Sequence, residues 1–346
     1  MAYRDYSFYA KLIKRWRRKY GGAIRSSTYE GTRGYLKTST DSTSNTGAKN
    51  NSGIWHLAEI HASIVDYVPT GEHVYNTPGT YTWTCPADVT SVSVVCVGGG
   101  GGGMYYNNSS SNHKYHMNGG AGGGLGWKNS ITVVPGQTYT VVVGAAGSAG
   151  QYSNSSTAGA TSYFINTSTV SATGGQPGRY NTASIAGGTY TGDGGGVGGN
   201  SGQSGNNGNG PTGGGGAGGY TGAGGRGGSR GQTAGVGAGG AGGGGGWSTS
   251  TYESYGGGGV GLYGQTDNGT AGAVNTQAGG GSGGGTSSSA QHGGAYGGGG
   301  GGNSSVYSGT GGNGGTGAVR IVWGDTREFP TTNVDEASSD GNASTN

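Results

Sequence analysis

Hydrophobic and polar positions alternate with a period of two in some stretches of this chain and almost vanish in another. Tyr81, Trp83 and Cys85 alternate with Thr80, Thr82 and Thr84, and beyond Pro86-Ala87-Asp88 the residues Val92, Val94 and Cys96 alternate with Ser91, Ser93 and Val95. Alternation of this kind puts one set of side chains on one face of a strand, and the turn residues between the two runs predict a hairpin with one buried face. A second pair is predicted where Ile131, Val133 and Val134 lead through Pro135-Gly136 to Tyr139, Val141 and Val143. Short strands follow at 163–165 and 170–173, and a last one at 318–323. An antiparallel β-sandwich is the economical way to bury these faces. If the last strand pairs with the early ones, everything between them is a closed excursion from the sandwich and not a tail.

Upstream of residue 71 the spacing changes. Residues 3–20 read as a short amphipathic helix, in which Lys11, Lys14, Arg15, Arg17, Arg18 and Lys19 are interleaved with Leu12, Ile13 and Trp16 and which Gly21-Gly22 closes. A Ser, Thr, Asn and Gly linker occupies 21–53, and Ile54, Trp55, Leu57, Ile60 and Ile64 then recur at near-helical spacing. The domain organisation expected from these shifts is a basic N-terminal attachment arm and linker over 1–70, a β-sandwich over 71–175 completed by a strand at 317–324, a glycine-rich bundle over 176–316 and a C-terminal tail over 325–346.

Composition alters the picture most in the middle of the chain. Eight of the 91 glycines precede residue 97 and two follow residue 320, so 81 lie between. Glycine loses more backbone freedom on folding than any other residue, so such a tract either stays disordered or gains a contact that only a chain without Cβ can make. Collagen is excluded, because no strict Gly-X-Y repeat runs through the tract and the chain has only 7 Pro. Runs at 213–216, 242–246, 256–259, 283–285 and 297–302 alternate with polar segments. Such runs suit threefold extended helices of the polyglycine II type, packed side by side with a turn at each polar segment. Disorder is the competing state, and the clean strand at 318–323 favours order. The expected fold is therefore all-β, an antiparallel β-sandwich with an inserted polyglycine-II-like helical bundle and a short N-terminal helical attachment region.

Charge and chemistry narrow the function classes. Residues 1–50 hold eleven Lys or Arg against Asp5, Glu30 and Asp41, so the net +3 of the chain is a property of its arm. A cationic face of this kind suits docking on a larger protein assembly, a membrane surface or a nucleic acid, or is simply solvated; docking on partner proteins is the expectation, with no nucleic acid. No apolar h-region of an export signal follows the first basic residues, and no run is long enough to span a bilayer. Only Asp193, Glu253 and Asp267 supply carboxylates between 97 and 320, too sparse for paired acid–base work, so no catalytic residue and no enzyme activity are expected. No Cys/His spacing fits zinc. His113 and His116 beside Lys114 read as solvated loop residues, and matches to G-x-G-x-x-G carry no information in this composition, so neither metal nor cofactor is expected. Cys85 and Cys96, on consecutive strands, read as two free, partly buried thiols.

The segments between glycine runs have their own palette of Tyr, Ser, Asn and Gly with an occasional Trp or Arg. Candidate contact residues are Tyr105, Tyr106, Tyr180, Tyr190, Trp247, Tyr252, Tyr255, Tyr296 and Tyr307. Rigid aromatics among small polar groups are what antibody contact loops use, and the same set stacks on sugar faces. The alternative is that each Tyr is a spacer between glycine rods.

The string from Pro78 through Tyr81, Trp83, Cys85, Val94 and Cys96 to Gly98, running straight into a glycine block, resembles the start of the glycine-rich domain of tail-fibre and other structural proteins of tailed bacteriophages. The stretch 133–144 and the close at 317–324 fit the same pattern, and the sequence after the close, 327–333, is similar to marine cyanophage versions. The resemblance covers roughly 71–333. It implies a virion location, outside the cell, and a binding or structural role, with other virion proteins and a host cell-surface glycan or protein as partners and a possible homo-oligomer. Related in kind are phage adhesins whose tips are stacked polyglycine helices with receptor-binding loops at one end. The rivals are a purely structural virion part, such as a capsid decoration or fibre shaft, and an extracellular filament or matrix protein. The basic arm is no part of the family pattern.

Overall fold

The computed structural model describes residues 70–105, 117–150, 155–179, 184–203, 210–229, 232–247, 254–274, 278–282, 291–303, 310–324 and 326–331, with the backbone of two short upstream strands. The chain divides into two units, Met1–Val68 and Pro69–Asn346. In the first, β1 (Tyr35–Lys37) pairs antiparallel with β2 (Ile54–His56). This corrects two expectations. Ile54 and Trp55 belong to a strand and not to a helical patch, and their partner lies inside the presumed linker; aromatic and β-branched residues prefer a paired extended backbone to a short unsupported helix. The predicted helix over 3–20, and Leu57, Ile60 and Ile64, fall outside the described residues.

The second unit is all-β. One five-stranded antiparallel sheet has the order β10-β9-β8-β7-β4, formed by β4 (Gly79–Thr84), β7 (Thr138–Val143), β8 (Ser162–Phe164), β9 (Val170–Ala172) and β10 (Tyr190–Thr191). The other has the order β11-β6-β5-β12-β3, from β3 (Gly71–Tyr75), β5 (Ser91–Val97), β6 (Leu125–Thr132), β11 (Gly194–Gly196) and β12 (Ala318–Trp323). The last strand does return to the first ones: Val319 sits opposite Tyr75 on one side and Cys96 on the other.

Both predicted hairpins need correction. β4 pairs with β7, whereas β5 pairs with β6 and β12, so the Pro86-Ala87-Asp88 connection carries the chain from one sheet to the other. Pro135-Gly136 does the same between β6 and β7. Alternation specifies which face is buried and leaves the partner open. Asp88 turns the first connection at φ 66, and Val89 drops into the core behind it, 3% exposed. In the second, Val133 is buried and Val134 is 54% exposed, as alternation between the two faces requires.

The alternating residues fill one core between the sheets, with Trp83, Val141 and Phe164 from the first meeting Tyr75, Val94, Cys96, Val319 and Ile321 from the second. Burying Phe164 and Val94 alone contributes about 1.5–3 kcal/mol each relative to exposure. Both cysteines are free and buried; burial pushes the Cys96 thiol well above its ordinary value. The far face of the second sheet is covered too, because Val95, Val97, Leu125 and Val322 pack under Tyr220, Val260, Leu262 and Phe329. The first sheet instead leaves Thr80, Thr82, Thr84, Thr138 and Thr140 exposed on its outer face. Gly126, Lys128 and Asn129 conceal the start of β6 from any hydrophobic pattern, and β11 is three glycines.

Glycine segments begin at Gly98, directly after β5, and alternate along the chain with the strands. Residues 98–103 donate N–H groups in three directions in strict rotation: Gly98 and Gly101 to Gly124 and Ala121, Gly99 and Gly102 to Ala160 and Thr157, Gly100 and Gly103 to Gly315 and Gly312. Their carbonyls accept from three further segments, Gly99 from Gly175, Gly100 from Gly147 and Gly101 from Gly300. Residues 213–218 repeat the scheme, with Gly213 and Gly216 donating to Gly228 and Gly225, Gly214 and Ala217 to Tyr255 and Gly258, and Gly215 and Gly218 to Gly120 and Gly123. Each of these two segments thus has six neighbours. A Cβ on Gly100 would land in the carbonyl of Gly298, and one on Gly101 in that of Gln176; the spacing exists only because the side chains do not.

Candidate functional site

One end of this array is fused to the sheets, since Gly98 follows β5, Gly124 precedes β6, Gly144 follows β7 and Gly317 precedes β12. Three hydrogen-bond steps along, the opposite end is marked by the return of side chains. Tyr105 bridges Asn303, Trp247 bridges Ser254, and Ser229 bridges Gln232. Met104 donates its N–H to the Asn118 carbonyl, Asn118 to that of Arg179, and Thr212 to that of Met117. Gly150 donates to Gly103, and Gly302 to Thr212. The described residues that border segments 106–116, 151–154, 180–183, 230–231, 248–253 and 304–309 are therefore in lateral register, at the end away from the sheets.

Small polar side chains close the array there. Ser254 Oγ donates toward the Thr212 and Gly302 carbonyls (2.6 and 2.8 Å), and Thr212 Oγ1 accepts from Gly119 N–H (3.1 Å). Asn303 Nδ2 donates to Thr310 O (2.9 Å), and Ser156 Oγ to Gly178 O (2.6 Å). Ser254 adds a side-chain donor to the Thr212 and Gly302 carbonyls, and Asn303 and Ser156 supply donors to the Thr310 and Gly178 carbonyls, so these backbone groups of the last layer are not buried bare.

The predicted contact residues divide on this frame. Tyr105 (2% exposed) and Trp247 (8%) lie within the end layer as packing, the Trp247 ring lying against Gly228. Tyr255 is half-buried beside them, and its carbonyl accepts from Gly214. Tyr190 stands in β10 and Tyr296 packs against the cluster on the second sheet's far face, so neither joins the group. Tyr106, Tyr180, Tyr252 and Tyr307 lie outside the described residues, as do Lys11, Lys14, Arg15, Trp16, Arg17, Arg18 and Lys19 of the arm, and His113 and His116. Exposed Arg179 is the described cation at this end.

Where the array meets the second sheet, a charged group occurs that the sequence reading did not single out. Arg320, 1% exposed in its side chain, donates to Glu72 (2.7 Å) and to the Leu262 carbonyl (3.0 Å), under the Tyr263 ring at 4.4 Å. Arg327 reaches the same carboxylate. Burial works to raise the Glu72 pKa, but hydrogen bonds from the two guanidiniums outweigh it and hold the carboxyl below its ordinary value. The sequence signal for this group is a lone Arg in the otherwise apolar strand Ala318–Trp323. Among the described residues no cluster of three His, Cys, Asp or Glu could hold a metal ion, and no helix is long and apolar enough to cross a membrane.

A family model described as a glycine-rich domain matches residues 76–324, from just ahead of β4 to just past β12. The chain belongs to this family. No curated protein matches it.

Proposed function

We propose that this member of the glycine-rich domain family is a structural and binding component of a tailed-bacteriophage particle, a tail-fibre or adhesin part that touches a host cell-surface glycan or protein. In this reading the two sheets form a β-sandwich, and the glycine segments are polyglycine-II-type threefold helices bundled as an insertion before its last strand. The three-direction rotation of N–H groups over residues 98–103 and 213–218 supports the threefold helix. The observation that supports the binding role is the lateral register at the end away from the sheets, where the described residues that border six Tyr-, Ser-, Asn- or Arg-bearing stretches of sequence meet in one layer.

The chemistry follows from that layout. Rigid aromatics and short polar groups make adaptable contacts of low individual strength, and several copies on one particle multiply them through effective concentration. The test is adhesion of the purified chain to intact candidate host cells, marine cyanobacteria first, comparing wild type with Tyr106→Ser, Tyr180→Ser, Tyr252→Ser and Tyr307→Ser combined. At least tenfold weaker adhesion with an unchanged far-UV spectrum is expected; equal adhesion by both proteins refutes the contact role.

A second reading, a purely structural virion part, draws on one specific observation: Tyr105 and Trp247 are buried as spacers in the end layer. It predicts no adhesion by wild type.

A further inference from the structure

Past β12 the chain makes a short strap over the second sheet that forms no strand ladder and is held by anchors two residues apart. Arg327 donates to the Gly71 carbonyl (2.7 Å) and to Glu72. Phe329 is 3% exposed and stacks on Tyr220 with ring centroids 5.8 Å apart. Asn129 grips the Phe329 backbone at both ends, its Nδ2 donating to the carbonyl (2.8 Å) and its Oδ1 accepting from the N–H (3.0 Å). The Pro330 carbonyl accepts from Gln265 N–H (2.8 Å). Side-chain anchors plus a two-point backbone clamp are the way folded domains read short extended peptides.

The walls of this groove are fixed by bonds that do not involve the strap. The Tyr220 carbonyl accepts from Trp127 Nε1 (2.9 Å), while its hydroxyl donates to Gly261 O (3.1 Å) and accepts from Gly264 N–H (3.2 Å). Asn129 N–H is held by Asp193 (2.9 Å), which also pairs with Lys128 (2.8 Å). Glu72 keeps Arg320 when Arg327 leaves. A groove whose walls stand without the occupant needs little reorganisation to receive another one. The strap itself turns off β12 at Gly324 (φ 124) and Thr326 (φ 64), while β12 is clamped between β3 and β5. No strap residue takes part in either ladder of β12, so those ladders do not hold the strap in place. Its anchors Glu72, Gly71 and Arg327 all lie outside the stretch shared with the family, 76–324.

We propose that this groove is a recognition site for an Arg-x-Phe-Pro segment, filled here by the chain's own residues 326–331 and exchanged with the same segment of a second copy. The second copy is the occupant because its strap reproduces every contact of the first, the condition under which exchange between identical chains is least costly. The proposal is independent of what the other end of the molecule binds.

Complementary full-length variants test it. Arg327→Ala with Phe329→Ala leaves a groove without a competent strap, and Asn129→Ala leaves a strap without a competent groove. Each is expected to sediment as a single chain, and their equimolar mixture as a pair, twice that mass. An added peptide Thr-Arg-Glu-Phe-Pro-Thr should dissociate the pair and raise the melting midpoint of the first variant saturably, whereas the peptide with Ala for Arg and Phe should do neither. A mixture that stays at single-chain mass, or a midpoint indifferent to the peptide, overturns the proposal. Should the double variant not fold, Phe329→Ala alone serves as the acceptor, with the same two readings.

Discussion

The two sheets and the glycine array are both densely hydrogen-bonded, but they exclude water by opposite means. Between the sheets, side chains such as Trp83, Phe164, Val94 and Ile321 interlock and the backbones stay apart. In the array the backbones themselves are in contact: segments 98–103 and 213–218 are each bonded to six others, and a Cβ on any of their glycines would collide with a carbonyl. The difference teaches that the hydrophobic fraction of a sequence measures only the first kind of core. At 29% hydrophobic residues the chain builds two modest side-chain clusters, one between the sheets and one on the far face of the second sheet, yet many of its glycines sit in a further, backbone-built core, where contacts and satisfied N–H and C=O groups offset the entropy of ordering them.

Substitutions should break the two regions in opposite senses. The largest effect is expected for Gly101→Val, whose branched side chain has to enter the space of the Gln176 carbonyl with backbone on every side; little or no folded protein is predicted, by circular dichroism and solubility. The corresponding enlargement of a sheet residue on the open face, Thr82→Val, should be neutral within about 0.5 kcal/mol. Phe164→Ala removes a fully buried ring and is predicted to cost about 3–5 kcal/mol in urea denaturation. A smaller effect is expected at the junction of the two regions. Because Glu72 has its pKa depressed in the folded state, its ionised form stabilises the fold at neutral pH. That stability is complete above the ordinary carboxyl value of 4.5 and is lost as pH falls through the lower folded value. Acid titration of the melting midpoint should show this loss, and Glu72→Gln should flatten it.

Much of the side-chain core was legible. Strands at 163–165, 170–173 and 318–323 were found within a residue, since period-two alternation and β-branched runs survive in any context. Strand partners were not legible, because Pro86-Ala87-Asp88 and Pro135-Gly136 suit a tight hairpin and a crossing between sheets equally well. The array was legible only as a choice between order and disorder: glycine has no propensity signal, and the rotation of donors from Gly98 onward is a property of the packed state. Nor could the sequence show that Tyr105 and Trp247 are buried in the end layer, since spacers and contact aromatics draw on the same residue types. The Arg320–Glu72–Arg327 group joins the start of the unit to its close, a distance along the chain that local patterns do not span.

Amide hydrogen exchange in the native protein tests the central claim most directly, that a glycine tract here is a core and not a tether. Residues 98–103 and 213–218 should be protected as strongly as β5 and open only with global unfolding. Exchange of these glycines within seconds, while β5 and β12 stay protected, would contradict the account and leave the two sheets as the only folded part of the chain.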